Sequence, residues 1–308
     1  MEIALQFVLL ALGFVMLGKG ADWFVEGAAG IAMRFGIPQL VIGLTIVAMG
    51  TSAPEAAVSI AAAVKGNADI TIGNIVGSNI LNILVILGLA ASIVPIAVAR
   101  STVRIEIPFM IGVTALLFYQ GRDSSISLAD GGVLMVAFAA YMMYLYTMAM
   151  KSNVDSDLEE PGLPLGRCLL GAVGGLALII AGSNVTVGAA TSIATYARLS
   201  ERFIGLTIVA LGTSLPELFT SVAAARRGNA DIAIGNIVGS NIFNILFVVG
   251  LSSLIIDIPF ASAFNFDTYV ALGAAVLLWL CVLRTQRLQR WAGALMLMCY
   301  AAYLGYIL

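Results

Sequence analysis

Residues 43–89 read GLTIVAMGTSAPEAAVSIAAAVKGNADITIGNIVGSNILNILVILGL, and residues 205–251 read GLTIVALGTSLPELFTSVAAARRGNADIAIGNIVGSNIFNILFVVGL. Aligned without a gap at a constant offset of 162, the two stretches agree at 34 of 47 positions. Shared hydrophobicity does not produce such agreement, so the chain is a duplicated half-unit. The stretches are also long, apolar and rich in Gly, Ala, Ser and Asn, the composition that close helix packing in lipid favours.

The rest of the chain carries the same character. Of 308 residues 61% are hydrophobic and 10% charged, with a mean hydropathy of +1.04. A soluble domain carries about 45–50% apolar and about 25% charged residues. A net charge of −2 offers no basic stripe for nucleic acid, and the absence of histidine removes the usual zinc ligand and proton shuttle. Cys168, Cys281 and Cys299 are dispersed and form no CxxC pair, so they read as packing residues. The start, Met1-Glu2-Ile3, lacks the basic n-region of a signal peptide, and the first apolar stretch is expected to be a retained helix.

A helix needs about 20 mostly apolar residues to cross the hydrocarbon core. That template gives ten candidate spans, at 3–32, 38–64, 69–95, 104–120, 127–150, 165–197, 201–225, 231–256, 267–284 and 289–307. The expected fold is an all-α polytopic membrane protein; alternating ten-residue strands of a barrel are absent. Residues 1–150 form the first five-helix unit, 151–164 an acidic linker and 165–308 the second unit. With five spans per half, the second half enters the membrane from the opposite face, giving an inverted-topology repeat. One side of the membrane receives Arg34, Arg100, Arg104, Lys151, Arg167, Arg226, Arg227, Arg284, Arg287 and Arg290. The other receives only Lys65, Arg122, Arg198 and Arg202. The positive-inside rule puts the first group in the cytoplasm and both termini outside. The linker carries Asp155, Asp157, Glu159 and Glu160 but lacks the Asp-x-Asp-x-Asp-Gly pattern of a calcium loop, and reads as a solvated connection.

Glu55 and Glu217 lie mid-span, where a carboxylate costs about 2.5–3.5 kcal/mol even on the gentler insertion scale. No Lys or Arg occupies the cores of spans two, three, seven or eight, so a bound cation is the natural neutralising partner. Thr51 and Ser52, and Thr213 and Ser214, place hydroxyls beside the two acids. Pro54 and Pro216 lack an N–H and clash with the carbonyls of Gly50 and Gly212, so both spans should kink or break there and free carbonyl oxygens. Irregular backbone at membrane depth is tolerated where it lines a cavity, and interruptions at matching positions of two halves point to a transport site. Spans three and eight add polar stripes of Asn74, Ser78 and Asn82, and of Asn236, Ser240 and Asn244. Two carboxylates with hydroxyl, amide and carbonyl oxygens suit a hard ion such as Ca²⁺.

Other features have blander readings. Asn74, Asn79, Asn236 and Asn241 fit interhelical hydrogen bonding as well as ion contact, and Gly73/Gly77 and Gly235/Gly239 fit close packing. Asp69 and Asp231 read as N-caps. Lys19, Asp22 and Glu26 read as a local ion pair in span one, since their counterparts at the same offset are Ala181, Asn184 and Gly188. Trp23, Trp279 and Trp291 are candidate interfacial anchors.

The doubled GTSxPE…GNIVGSNIxNI pattern, Gly50 to Glu55 with Gly73 to Ile83 and Gly212 to Glu217 with Gly235 to Ile245, resembles the alpha repeats of the cation/Ca²⁺ exchanger superfamily. Its prokaryotic sodium/calcium antiporters are the nearest likeness, and the resemblance spans essentially the whole chain. It implies secondary active exchange of Na⁺ for Ca²⁺ in a prokaryotic cytoplasmic membrane, with spans one and six sliding against a core of spans two, three, seven and eight. By that likeness Glu55 and Glu217 are the central carboxylates, and Thr51 and Thr213 contribute to calcium. Ser52, Ser214, Ser78 and Ser240, with the carbonyls of Ala48 and Ala210, complete sodium sites. Asn244, matching Asn82 in the first repeat, stands where some members carry an aspartate in the second; its amide argues against potassium coupling. The ions are cargo, so no cofactor is implied, and the partners are Ca²⁺, Na⁺ and the bilayer, without nucleic acid or an obligate protein partner. The same carboxylates could instead serve Ca²⁺/H⁺ exchange. An intramembrane enzyme lacks a nucleophile with an adjacent base.

Overall fold

The computed structural model describes residues 2–66, 68–152, 163–197 and 210–307. The first half comprises α1 (Glu2–Arg34), α2 (Gln39–Thr51), α3 (Ala53–Val64), α4 (Ile70–Ile93), α5 (Thr102–Asp123) and α6 (Leu128–Ser152). The second comprises α7 (Leu165–Tyr196), α8 (Ala210–Thr213), α9 (Leu215–Arg226), α10 (Ala230–Ile255), α11 (Ala263–Leu283) and α12 (Arg290–Ile307). Among the described residues seven helices are long and apolar enough to cross a membrane, and α2 with α3 makes an eighth if the bent pair is one span. Of the other expected spans, 201–225 falls partly outside the described residues, and 289–307 contains the 18-residue α12. Residues 153–162, which hold the linker acids, and Arg198 and Arg202 also lie outside them.

Local chemistry explains the helix ends that shape the centre. Pro54, near the start of α3, cannot donate to the helical ladder, and the chain breaks at Ser52 (φ −82°, ψ 6°), turning α3 51° from α2. Ser214 takes the same conformation (φ −91°, ψ 5°) ahead of Pro216 in α9. Helices α3 and α9 then stop at Gly66 (φ 78°) and Gly228 (φ 81°), a left-handed conformation that glycine adopts without a Cβ clash. The offset again is 162.

Four two-residue strands tie the halves together. β1 (Ile96–Ala97) pairs antiparallel with β4 (Arg287–Leu288), and β2 (Ser125–Ile126) pairs antiparallel with β3 (Ile258–Pro259). β3 is the offset counterpart of β1 and β4 that of β2, and each strand pairs with one from the half that does not contain it.

The core sits on α4 and α10, whose Ile72, Ile75, Ile80, Ile83, Ile237 and Ile242 are fully buried. Gly235 and Gly239 let α10 settle on α2: a Cβ on Gly239 would stand 2.8 Å from Leu44 Cα, and one on Gly235 3.1 Å from Gly43. Helices α1 and α7 pack antiparallel through glycine, with Gly13 beside Gly182 and Gly20 beside Gly175. Their outer faces expose Phe7, Val8, Leu170 and Val173, as expected of helices bathed in lipid.

Three smaller expectations are corrected. Asp22 and Glu26 pair with Arg227, just past the end of α9, at 3.2 Å each, instead of with Lys19, because the guanidinium forks between two carboxylates one turn apart. Trp279 is half-buried and donates its indole N–H to the Val103 carbonyl (2.9 Å), so it docks α11 on α5. Trp23 and Trp291 do lie exposed. Asn229 occupies the cap of α10, leaving Asp231 inside its first turn; the side chain of Asp69 lies outside the described residues.

Candidate functional site

The two breaks face each other across α4 and α10. Glu55 lies in the first turn of α3 and Glu217 in the first turn of α9, and both are 1% exposed. The break residue of each half caps the acid of the other. Ser52 Oγ donates to Glu217 Oε1 (2.8 Å), and Ser214 Oγ to Glu55 Oε1 (3.3 Å). Thr51 lies beside the Glu217 carboxyl and Thr213 beside that of Glu55. A carboxylate at a helix start also gains from the positive end of the helix dipole.

The asparagines of α4 and α10 divide into holders and donors of free oxygen. Asn74 Nδ2 donates to Ser59 Oγ (2.9 Å) and the Glu55 carbonyl (3.3 Å), and Asn236 Nδ2 to Ser221 Oγ (2.9 Å) and the Glu217 carbonyl (3.4 Å). Asn236 Oδ1 accepts from Thr51 (3.0 Å). Asn79 and Asn241 donate to each other's main-chain carbonyls at 3.2 Å, and their side-chain oxygens accept from Asn244 (3.1 Å) and Asn82 (2.9 Å). The amide groups of Asn82 and Asn244 are thereby fixed with their oxygens left over.

Those leftover atoms define the site. Glu55 Oε2, Glu217 Oε2, Asn82 Oδ1 and Asn244 Oδ1 are buried and accept no hydrogen bond. Buried acceptors of this kind cost about 1–3 kcal/mol each when unpaired. They fall in two pairs related by 162. The turns that carry the two asparagines widen to π geometry over Asn82–Leu87 and Asn244–Val249; the first packs against α9 and the second against α3, the helices of Glu217 and Glu55. Single π turns inside α-helices recur at functional sites.

The other expected ligands take these places. Ser240 Oγ lies 3.3 Å from the Ala48 carbonyl, which Thr51 Oγ1 also approaches at 3.3 Å. Ser78 and Ser240 are buried on α4 and α10. Ala210 opens α8, and its side chain lies outside the described residues. No group of three or more Asp, Glu, His or Cys gathers among the described residues, so the oxygen set depends on two acids supplemented by amides and hydroxyls. The residues not singled out as ligands or glue from the sequence are Ser59 and Ser221, which hold Asn74 and Asn236. Their signal was available: both are polar, both lie in apolar helices, and they coincide at the offset.

Comparison with known proteins identifies the architecture. The model of the family described as sodium/calcium exchanger protein matches residues 5–147 and 168–308. The chain belongs to the sodium/calcium exchanger family. Its members are membrane transporters, and this exchanger is an integral membrane protein. It is 40% identical to the putative antiporter CaxA of Alkalimonas amylolytica over 98% of each chain. It is also 40% identical to the inner membrane protein YrbG of Escherichia coli, over 80% of this chain and 79% of YrbG. Its structure superposes on the sodium-calcium exchanger NCX_Mj, soaked with Na⁺ and Sr²⁺, with a TM-score of 0.86 at 33% identity, covering 98% of this chain and 99% of the other.

Proposed function

We propose that this exchanger is a secondary active antiporter that trades Na⁺ for Ca²⁺ at one mid-membrane oxygen site built on Glu55 and Glu217. The observation that carries this reading is the set of four buried, unpartnered oxygens on Glu55, Glu217, Asn82 and Asn244. Ca²⁺ takes about 6–8 oxygens, and the set is completed by Thr51, Thr213, Ser52, Ser214, Ser78 and Ser240 with the carbonyls of Ala48 and Ala210. Two negative charges are neutralised by one Ca²⁺ or by Na⁺ ions occupying the same oxygens. Mutual exclusion is then the coupling: an ion of one kind leaves before the other binds.

In this reading the chain crosses the membrane ten times as two inverted five-helix units, 1–150 and 165–308, joined by the 151–164 linker. Three features support the inversion. Helices α1 and α7, equivalent by offset, run antiparallel; each strand pairs with the opposite half; and the hydrogen bonds at the centre occur in reciprocal pairs. An inverted pair suits alternating access, since each half can adopt in turn the conformation the other has just left. The sliding unit is α1 with α7, held together by their glycine-lined contact. The arginine distribution places both termini outside the cytoplasmic membrane, and the likeness to an inner membrane protein supports that membrane.

The test is ⁴⁵Ca²⁺ uptake into proteoliposomes loaded with Na⁺ or with an impermeant cation. Uptake that requires internal Na⁺ is expected. Uptake driven by an outward proton gradient without Na⁺ would instead assign the same carboxylates to Ca²⁺/H⁺ exchange.

A further inference from the structure

A third buried carboxyl lies on α5, outside the central cluster. The segment Thr102-Val103-Arg104-Ile105-Glu106-Ile107-Pro108 opens that helix. Pro108 lacks an N–H, and the turn before it, Thr102–Glu106, widens to π geometry. Thr102 and Glu106, four apart, share one face, and both are wholly buried. Across from them α6 presents Tyr141 and Tyr144, and Tyr144 donates its hydroxyl to Glu106 Oε1. Three polar atoms remain without a partner: Glu106 Oε2, Thr102 Oγ1 and the hydroxyl of Tyr141, which is 5% exposed.

The charge around this group is one-sided. Its titratable neighbours are Tyr141 and Tyr144 of α6 and Asp231 of α10, and α11 contributes the uncharged Trp279, bonded to the Val103 carbonyl. Arg104, on the same turn, is exposed, and the ion pairs among the described residues do not include Glu106. An ionised Glu106 would stand in a membrane span with no cation beside it and a second acid nearby, a costly arrangement that by default marks a functional group.

We propose that Glu106 is a proton-binding site, separate from the ion-exchange site. A proton on Oε2 neutralises the acid and turns that unpartnered oxygen into a hydrogen-bond donor. The site has no twin at the offset itself, although in the second half Tyr303 donates to Asp267 of α11 (2.9 Å), one residue before the position equivalent to Glu106. At the offset of 162 Glu106 becomes Thr268 and Thr102 becomes Phe264, although the tyrosines recur as Tyr303 and Tyr306. It therefore stands apart from the symmetric machinery and does not depend on which ion drives exchange. Loss of the proton places a charge near Asp231 where α5, α6 and α10 meet, loosening that junction and slowing exchange as pH rises.

Infrared spectra of the full-length protein in lipid, at neutral pH with saturating Ca²⁺ to keep the central carboxylates ionised, test the assignment. The expected result is a protonated-carboxyl band that is lost in Glu106→Gln, shifted in Tyr144→Phe, and unchanged by Na⁺. A band that survives Glu106→Gln, or one that disappears on adding Na⁺ at fixed pH, would overturn it, the second result in favour of a sodium ion. Should Glu106→Gln fail to fold, a Tyr144→Phe spectrum identical to the unmodified one would overturn it equally. In flux assays the unmodified exchanger should lose rate at alkaline pH while Glu106→Gln, a neutral isostere, keeps it; coincident pH profiles would contradict the proposal.

Discussion

Helices α4 and α10 and helices α1 and α7 are both pairs related by the offset of 162, yet they are built on opposite principles. The α4–α10 pair is almost wholly buried, polar at its centre and tied by reciprocal asparagine bonds, Asn79 with Asn241, Asn82 to Asn241 and Asn244 to Asn79. Its sequence is nearly the same in both halves. The α1–α7 pair is mostly exposed, and its mutual contact is glycine against backbone. There the halves agree at only six positions, Gly13/Gly175 and Gly20/Gly182 among them, and the charged cluster of α1 has no twin. Directional bonds need particular atoms at particular places, which restricts both copies of an ion site to one solution. A smooth contact needs only the absence of side chains.

If the centre binds and the periphery moves, changes in the two regions should fail differently. The largest effect is expected at the carboxylates: Glu55→Gln and Glu217→Gln should each reduce Na⁺-dependent ⁴⁵Ca²⁺ flux to background, and to the same extent. Gly20→Ala or Gly175→Ala should come next. The added Cβ of the first would meet Gly175 O and Ile179 N at 2.9 Å, an overpacking of about 1–3 kcal/mol, so turnover should fall while Ca²⁺ affinity is kept. A loss of affinity would erase the division of labour. Asn82→Ala and Asn244→Ala should weaken Ca²⁺ binding about tenfold each, the worth of one buried acceptor, read as apparent affinity in equilibrium binding. Unequal effects would sharpen the comparison by showing that the halves are used asymmetrically. The smallest effect is expected at Asp22→Asn: its ion pair with Arg227 is largely exposed, worth about 0.2–1 kcal/mol, and flux should change by no more than about twofold.

Much of the centre was legible in the sequence because its logic is local. Pro54 and Pro216 announce the breaks, and Glu55 and Glu217 stand out as acids within apolar spans beside them. The spacing of Asn74, Ser78 and Asn82 marks one face of a helix. What stayed hidden are pairings between residues far apart in the chain. Periodicity says which face Asp22 and Glu26 occupy, but not that Arg227 comes to meet them. It gives no sign that Trp279 turns inward to Val103 or that Tyr144 covers Glu106. The π turns at Asn82 and Asn244 were also unreadable, since a one-residue widening changes no hydrophobic pattern. The two-residue strands are too short for any alternation to register.

The central claim is that Ca²⁺ and Na⁺ use the same oxygens. Equilibrium ⁴⁵Ca²⁺ binding to the purified protein, titrated with Na⁺ and repeated for Glu217→Gln, tests it most directly. Na⁺ should displace Ca²⁺ completely and competitively from the unmodified protein, and Glu217→Gln should lose high-affinity binding. Calcium that stays bound at saturating Na⁺, or that binds Glu217→Gln undiminished, would contradict a shared site on the paired carboxylates.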